Sequence, residues 1–231
     1  MSETYNRARD REKLVDAIMP HVPFDGWSDA AFRAGAGDCG IDVPRALNAF
    51  PGGMAEVLAF NHQRADAQMV GAMVRDETGS LKIRERIMRA VQLRLMLVEG
   101  QREAIRAGLS FLLLPENAPL GPKLLYGTVD AIWHAIGDRS TDFSYYTKRA
   151  LLAAVYSATL LYWLNDKSEG HAASWAFLER RIADVMKIPQ VTGQIRAIVD
   201  RLPNPLSFLS RDAQRAGVPF SMPRRRRLAR R

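Results

Sequence analysis

The sequence contains one cysteine, Cys39, among 231 residues. No internal disulfide can form, and such low cysteine usage is typical of proteins that fold in a reducing compartment. Residues 1–14 carry charges of both signs and no apolar run, so they do not resemble a secretory signal peptide. We therefore expect a cytoplasmic protein that is not exported.

Long apolar runs are also missing. The longest, residues 150–164, includes Ser157 and Thr159 and has about fifteen residues, whereas a helix that spans a bilayer needs about 20. We expect this segment to be a buried helix. With 47% hydrophobic and 25% charged residues, the chain can bury a sizeable core and is not typical of disordered proteins.

Residues arranged for catalysis or metal binding are scarce. The four histidines belong to no metal-ligand motif and lie far apart in the sequence, at His21, His62, His134 and His171. The segment Gly35-Ala36-Gly37 follows no predicted strand, which argues against a nucleotide-binding loop. Cys39 is expected to be a small, partly buried residue and not a nucleophile. The sequence predicts no enzyme, no cofactor and no metal site.

Positive charge is concentrated at the C-terminus. The chain has a net charge of +8, and residues 224–231 contain six arginines and no acid, so the remainder is close to neutral. A dense arginine cluster suits a phosphate-bearing surface, either anionic lipid or nucleic acid. The alternative interpretation is a disordered end that only improves solubility.

The hydrophobic pattern is helical along nearly the whole chain, without the alternation that strands require. Ser28 and Asp42 are predicted N-caps of two short helices on either side of a turn at Gly40. This arrangement is typical of a helix-turn-helix. Longer amphipathic helices follow, so the fold class is all-α.

The order of these elements resembles the TetR repressor architecture, in which a helix-turn-helix precedes a larger bundle with an apolar ligand pocket. The turn and packing positions of TetR-like sequences are occupied here by Gly40, Ile41, Leu47, Phe50, Pro51 and Leu58. The positions that contact DNA in TetR-like sequences differ from that pattern, since they are occupied here by Asn48, Ala49 and Gly52-Gly53. Few side chains could therefore reach bases or phosphates, and nucleic acid is not expected as a partner.

A more specific resemblance is to the coenzyme Q biosynthesis protein nine family, a TetR-like offshoot. The string GDRSTDFSYYTKRAL at residues 137–151 carries most of it, and further matches lie at 82–91, 112–117, 130–134 and 175–182. The resemblance implies a non-catalytic protein that binds an isoprenoid quinone intermediate or a phospholipid. It also implies that the ligand is presented to the di-iron demethoxyubiquinone hydroxylase.

We expect the chain to have three parts, and the resemblance assigns residues to the lipid and hydroxylase roles. The parts are a helix-turn-helix-like portion at 1–53, a helical lipid-binding portion at 54–202 and a basic tail at 203–231. The expected lipid-binding residues are Leu95, Leu113, Trp133, Leu151, Val155 and Leu161. The expected contacts with the hydroxylase are Tyr145, Tyr146 and Arg149, although a tryptophan is usual at the first position. The same apolar residue types also fill solid cores, so the sequence leaves both interpretations open.

The end of the chain is expected to bind a membrane. A short apolar face precedes the arginine cluster and consists of Ile195, Ile198, Val199 and Leu202. One weak apolar anchor with a polybasic patch favours reversible attachment, here to the surface of the inner membrane. A homodimer through the 175–185 face is expected from fold analogy. The alternative functions are a TetR-type, ligand-responsive transcriptional regulator and a lipid carrier unrelated to quinones.

Overall fold

The computed structural model describes residues 6–76, 78–138 and 143–199, with side chains for 6–76, 78–138 and 146–185. These residues form ten α-helices and no strand, which confirms the all-α prediction. The helices are α1 Arg7–Ile18, α2 Val22–Asp25, α3 Asp29–Asp38, α4 Val43–Ala49, α5 Gly53–Arg75, α6 Ile83–Met96, α7 Arg102–Phe111, α8 Leu120–Ala135, α9 Phe143–Asn165 and α10 Ala172–Val199.

The helix-turn-helix forms where local capping predicts it. Ser28 accepts a hydrogen bond from the backbone N–H of Ala31, and Asp42 accepts one from that of Arg45 at 2.8 Å. Between them α3 ends at Asp38, and Gly40 follows the C-cap with a φ of +67°, in the left-handed region that glycine adopts without strain. The Ile41 N–H then bonds back to the Ala36 carbonyl at 3.0 Å, which closes the helix end as in a Schellman motif.

Gly35 has a packing role that the sequence did not indicate. Helix α3 continues through Gly35 and ends at Asp38. A Cβ at position 35 would lie 2.6 Å from Ile18 Cγ1 and 2.7 Å from Ile18 Cα. Glycine is therefore required here because α1 and α3 cross in backbone contact.

The part of the chain from residue 1 to 185 is one compact unit and contains two apolar clusters. The first joins α1–α4 to the N-terminal half of α5, with Ala104 of α7 and Leu124 of α8. The second joins the rest of α5 to α6, α8, α9 and the start of α10. Met54, Val57 and Leu58 belong to the first cluster, so the predicted division at residue 53 is not a break in packing.

Beyond Val185 the structure describes a second unit by the backbone of α10 as far as Val199. The side chains of Ile195, Ile198 and Val199 and the whole of Leu202 lie outside the described residues, as does the predicted boundary at 202. Among the residues that are described, no helix is both long and apolar enough to cross a membrane.

Candidate functional site

The six expected lipid-binding residues do not lie together. Leu95, Trp133 and Val155 are buried in the second cluster, and Leu151 is half-buried on α9. Leu113 is 82% exposed and Leu161 is 54% exposed. Leu113 and Leu161 therefore do not share the interior with the others, and the assignment of the six residues to a lipid stays a prediction. The turn after α7 carries Leu113 out of the bundle, and Leu161 lies on the outer face of α9.

Leu161 instead lines an open groove on α9 and the start of α10. The groove has a volume of about 540 Å³ and is also bordered by Tyr162, Lys167 and Phe177. Tyr162 and Phe177 stack with ring centroids 4.6 Å apart. This groove is accessible and of mixed character, because Asn165, Asp166 and Lys167 line it beside the apolar and aromatic side chains.

A polar cluster lies inside the helical portion, where α5, α6 and α8 meet. Arg94 is only 3% exposed, and its Nε donates to Asp66 Oδ1 at 2.6 Å. Thr128 Oγ1 lies 2.9 Å and 3.1 Å from the two carboxylate oxygens of Asp66. His62 Nε2 lies 2.7 Å from the same hydroxyl. A hydrogen-bonded chain thus runs from half-buried His62 to the buried ion pair.

The protonation states in this polar cluster follow from its hydrogen bonds and its burial. Burial raises the pKa of Asp66, but the adjacent Arg94 guanidinium opposes this shift and pairs with the carboxylate. The carboxylate can only accept, so the Thr128 hydroxyl donates to it. Burial, and then the charge of Arg94, lower the pKa of His62 to about 3, and a hydrogen bond to the Leu124 backbone opposes this shift only in part. His62 is therefore neutral.

Sequence reasoning missed this cluster, although a signal was present. Asp66 stands beside Ala65 and one turn before Met69 and Val70 on the apolar stripe of α5. Arg94 occupies a core position of α6 between Val91 and Leu95. Charged residues at core positions of two neighbouring helices indicate a buried pair.

The α8–α9 surface contains the residues expected to contact the hydroxylase. Tyr146 is 70% exposed, whereas Arg149 is 7% exposed. Arg149 donates through Nε and Nη2 to Asp130 Oδ1 at 2.9 Å and 2.7 Å. Lys148 bonds Asp138 at 3.1 Å. The side chain of Tyr145 lies outside the described residues.

Arg149 is thus oriented by α8 and largely covered. Its Nη1 also lies 4.0 Å from Asp138 Oδ2, so it is placed between two carboxylates. The exposed side chain of this surface is that of Tyr146, which lies one turn before Arg149 on α9. The sequence indicated both residues but did not distinguish the exposed one from the buried one.

The comparisons with known proteins agree with this fold. A profile of the COQ9 family matches residues 118–189. The COQ9-B protein of Xenopus laevis is 33% identical over 203 residues, which cover 84% of this chain and 69% of that protein. The chain belongs to the COQ9 family.

Other COQ9 proteins match over a similar stretch. The Drosophila melanogaster protein is 34% identical over 190 residues, 80% of this chain and 57% of that protein. The Rattus norvegicus protein is 32% identical over 200 residues, 83% of this chain and 64% of that protein. The chain therefore spans less than two thirds of these two relatives. All three are named mitochondrial ubiquinone biosynthesis proteins.

Solved TetR-family structures share the fold of this COQ9 family member. A TetR regulator from Nitrosomonas europaea superposes with a TM-score of 0.64 at 19% identity, over 76% of this chain and 97% of that chain. A TetR-family regulator from Streptomyces coelicolor superposes with a TM-score of 0.55 at 15% identity, over 92% of this chain and 99% of that chain. The predicted TetR-like architecture is confirmed.

The helix-turn-helix of this COQ9 protein differs electrostatically from a DNA-binding surface. Arg45 of α4 donates to both carboxylate oxygens of buried Asp10 at 2.8 Å. The exposed residues of α4 are the uncharged Pro44, Leu47 and Asn48. Residues 20–53 contain two arginines against four aspartates. Phosphate binding requires the opposite charge.

Proposed function

We propose that this chain is a non-catalytic accessory protein of ubiquinone biosynthesis. The observation that carries the proposal is its membership of the COQ9 family, at 33% identity over 203 residues to a named ubiquinone biosynthesis protein. Within the described residues, no group of three or more His, Cys, Asp or Glu side chains is arranged to hold a metal ion.

The accessory role has two parts in this proposal. The helical portion binds an isoprenoid quinone intermediate or a phospholipid, and the protein presents the quinone to the di-iron demethoxyubiquinone hydroxylase. The open groove beside Leu161, where Tyr162 and Phe177 stack, supports a ligand with an apolar chain. We place this activity at the surface of the membrane that carries ubiquinone synthesis, and the relatives named above are mitochondrial.

For the hydroxylase contact we assign different roles to the α8–α9 residues. Tyr146 contacts the partner because it is an exposed aromatic side chain, of the kind that anchors interfaces. Arg149 is a positioning residue, since Asp130 holds it against α8. Replacing Arg149 should therefore change the shape of the surface, whereas replacing Tyr146 should remove a contact and leave the fold intact.

A strain that lacks its own COQ9 protein tests the proposal. Expression of this chain should restore ubiquinone and lower demethoxyubiquinone, measured by liquid chromatography and mass spectrometry. The Tyr146→Ala variant should restore several-fold less ubiquinone and leave more demethoxyubiquinone, while its thermal transition stays unchanged. Phe24→Ala, at an almost fully exposed aromatic on α2, is the matched control and should behave as wild type. Failure of the unmodified chain to alter either quinone would contradict the proposed pathway.

The ligand is tested by mass spectrometry of lipids that co-purify with the chain. A quinone intermediate would support the proposed pathway, and phospholipid alone would favour a general lipid carrier.

The proposed homodimer through the 175–185 face can be measured by light scattering, with Trp175→Glu expected to yield monomer.

A transcriptional regulator is the second candidate, favoured by the TM-score of 0.64 to a TetR regulator. The acidic helix-turn-helix and the engagement of Arg45 by Asp10 oppose it. A gel-shift assay with genomic fragments at physiological salt should give no sequence-specific complex. A specific complex that is released by a quinone would favour the regulator instead.

A further inference from the structure

The connection between α5 and α6 exposes three aliphatic side chains within ten residues. Val74 is 74% exposed, Leu81 is 41% exposed and Ile83 is 62% exposed. Isolated exposed aliphatic residues are common in soluble proteins, but a group of them on one short segment indicates an interaction surface. We call these three side chains the α5–α6 patch.

Two of the three continue the apolar stripes of their helices. On α5, Val70 packs against the second cluster, and Val74 follows it one turn later. On α6, Ile87 is buried in that cluster, and Ile83 precedes it by one turn. Residues one turn apart lie on the same helix face. On both helices the apolar stripe therefore extends beyond the second cluster, and the cluster does not cover Val74 or Ile83.

Hydrogen bonds join the described residues on either side of position 77. Thr78 is buried, and its hydroxyl donates to the Met73 carbonyl at 3.4 Å. The Leu81 N–H bonds to the Thr78 carbonyl at 3.1 Å. Arg89 of α6 donates to Asp76 at the end of α5 at 2.7 Å. These bonds hold the end of α5 and the start of α6 next to each other.

Basic residues surround the patch. Arg75 and Lys82 are exposed and alternate with the aliphatic residues, and neither side chain has an ion-pair partner among the described residues. The neighbouring acid Asp76 is already paired with Arg89. From residue 74 to 89 the sequence has five basic and three acidic residues. Aliphatic side chains interleaved with free cations match the interface of an anionic bilayer.

We propose that the α5–α6 patch docks on anionic phospholipid membranes, with Val74, Leu81 and Ile83 entering the headgroup region and Arg75 and Lys82 facing lipid phosphates. This contact is separate from the one predicted at the C-terminus. It needs neither a quinone nor the hydroxylase, so vesicle binding can fail while the proposed role in ubiquinone synthesis stands.

Flotation of the full-length chain with vesicles tests the docking. The vesicles are phosphatidylcholine, with or without phosphatidylglycerol, at low and high salt. Val74→Ser with Ile83→Ser removes apolar surface without adding charge, and should lower partitioning at least about tenfold at both salt concentrations. Phe24→Ser removes an equally exposed apolar residue on α2 and should leave partitioning unchanged. Arg75→Gln with Lys82→Gln should reduce binding only to the anionic vesicles at low salt.

A fluorescent label identifies the surface that meets the lipid. In a Cys39→Ser background, an environment-sensitive dye on Ile83→Cys should shift to shorter wavelength when vesicles are added. The same dye on Phe24→Cys should not shift. Wild-type partitioning of the double serine variant, or an unshifted label at position 83, would overturn the docking. A label already shifted without vesicles would also overturn it, because another part of the chain or a second copy would then cover the patch.

Discussion

The buried ion pair between Asp66 and Arg94 makes a quantitative prediction about stability. Asp66→Asn keeps the size of the side chain but removes the charge that Arg94 faces. Arg94 would then face only neutral acceptors, the amide oxygen of the new side chain in place of the carboxylate and the His62 carbonyl at 3.4 Å, around a guanidinium that is 3% exposed. Breaking a buried pair by removing one partner costs about 3–5 kcal/mol. Because folded domains are stable by only about 5–15 kcal/mol, this is a large share of the total.

An exposed pair on the same bundle provides the control. Arg84 of α6 lies 3.3 Å from Glu179 of α10, with side chains 42% and 60% exposed. Glu179→Gln should lower the free energy of unfolding by less than about 1 kcal/mol, because water solvates both charges and screens their attraction. Urea unfolding followed by far-UV circular dichroism measures both variants on one scale.

A double-mutant cycle separates the pair from the cost of an unpaired charge. Asp66→Leu combined with Arg94→Met replaces the pair by apolar groups of similar volume. The double variant should be more stable than either single variant by about 2 kcal/mol or more, since each single variant keeps a lone buried charge that the double variant lacks. A cost of Asp66→Asn as small as that of Glu179→Gln would refute the reasoning. Additive effects in the cycle would refute it equally.

Three further predictions concern packing, pH and the helix-turn-helix. Gly35→Ala should lower the free energy of unfolding by about 1–3 kcal/mol, because its Cβ meets the α1 backbone; Gly37→Ala, with nothing within 4 Å, should change it by less than about 1 kcal/mol. The lowered pKa of His62, about 3, keeps the folded ring neutral while the unfolded chain gains a proton below about pH 6.5. Stability should therefore fall as pH drops from 6 to 5, by up to about 1.4 kcal/mol per pH unit, and less steeply in His62→Gln. Arg45→Met should cost about 3 kcal/mol in urea unfolding by leaving Asp10 buried and unpaired, and should not alter a gel shift with DNA.

The sequence by itself determined the helix starts and the family. Ser28 and Asp42 cap their helices with side chains that reach backbone N–H groups three residues away, so their effect depends on local chain geometry. The string at residues 137–151 indicated the family, which the COQ9 relatives confirm. Both kinds of signal are contiguous in the chain and need no knowledge of which helices meet.

Only the tertiary structure decided which residues are accessible. Val155 and Leu161 are both apolar residues of α9, yet one is buried and the other exposed, because helices cover only one of the two faces. Arg149 is polar and nevertheless buried, since Asp130 of α8 holds it. The partners Asp66 and Arg94 are 28 residues apart. Helical periodicity gives the faces of each helix, but burial and pairing depend on which faces meet, and that is fixed by contacts between residues distant in the chain.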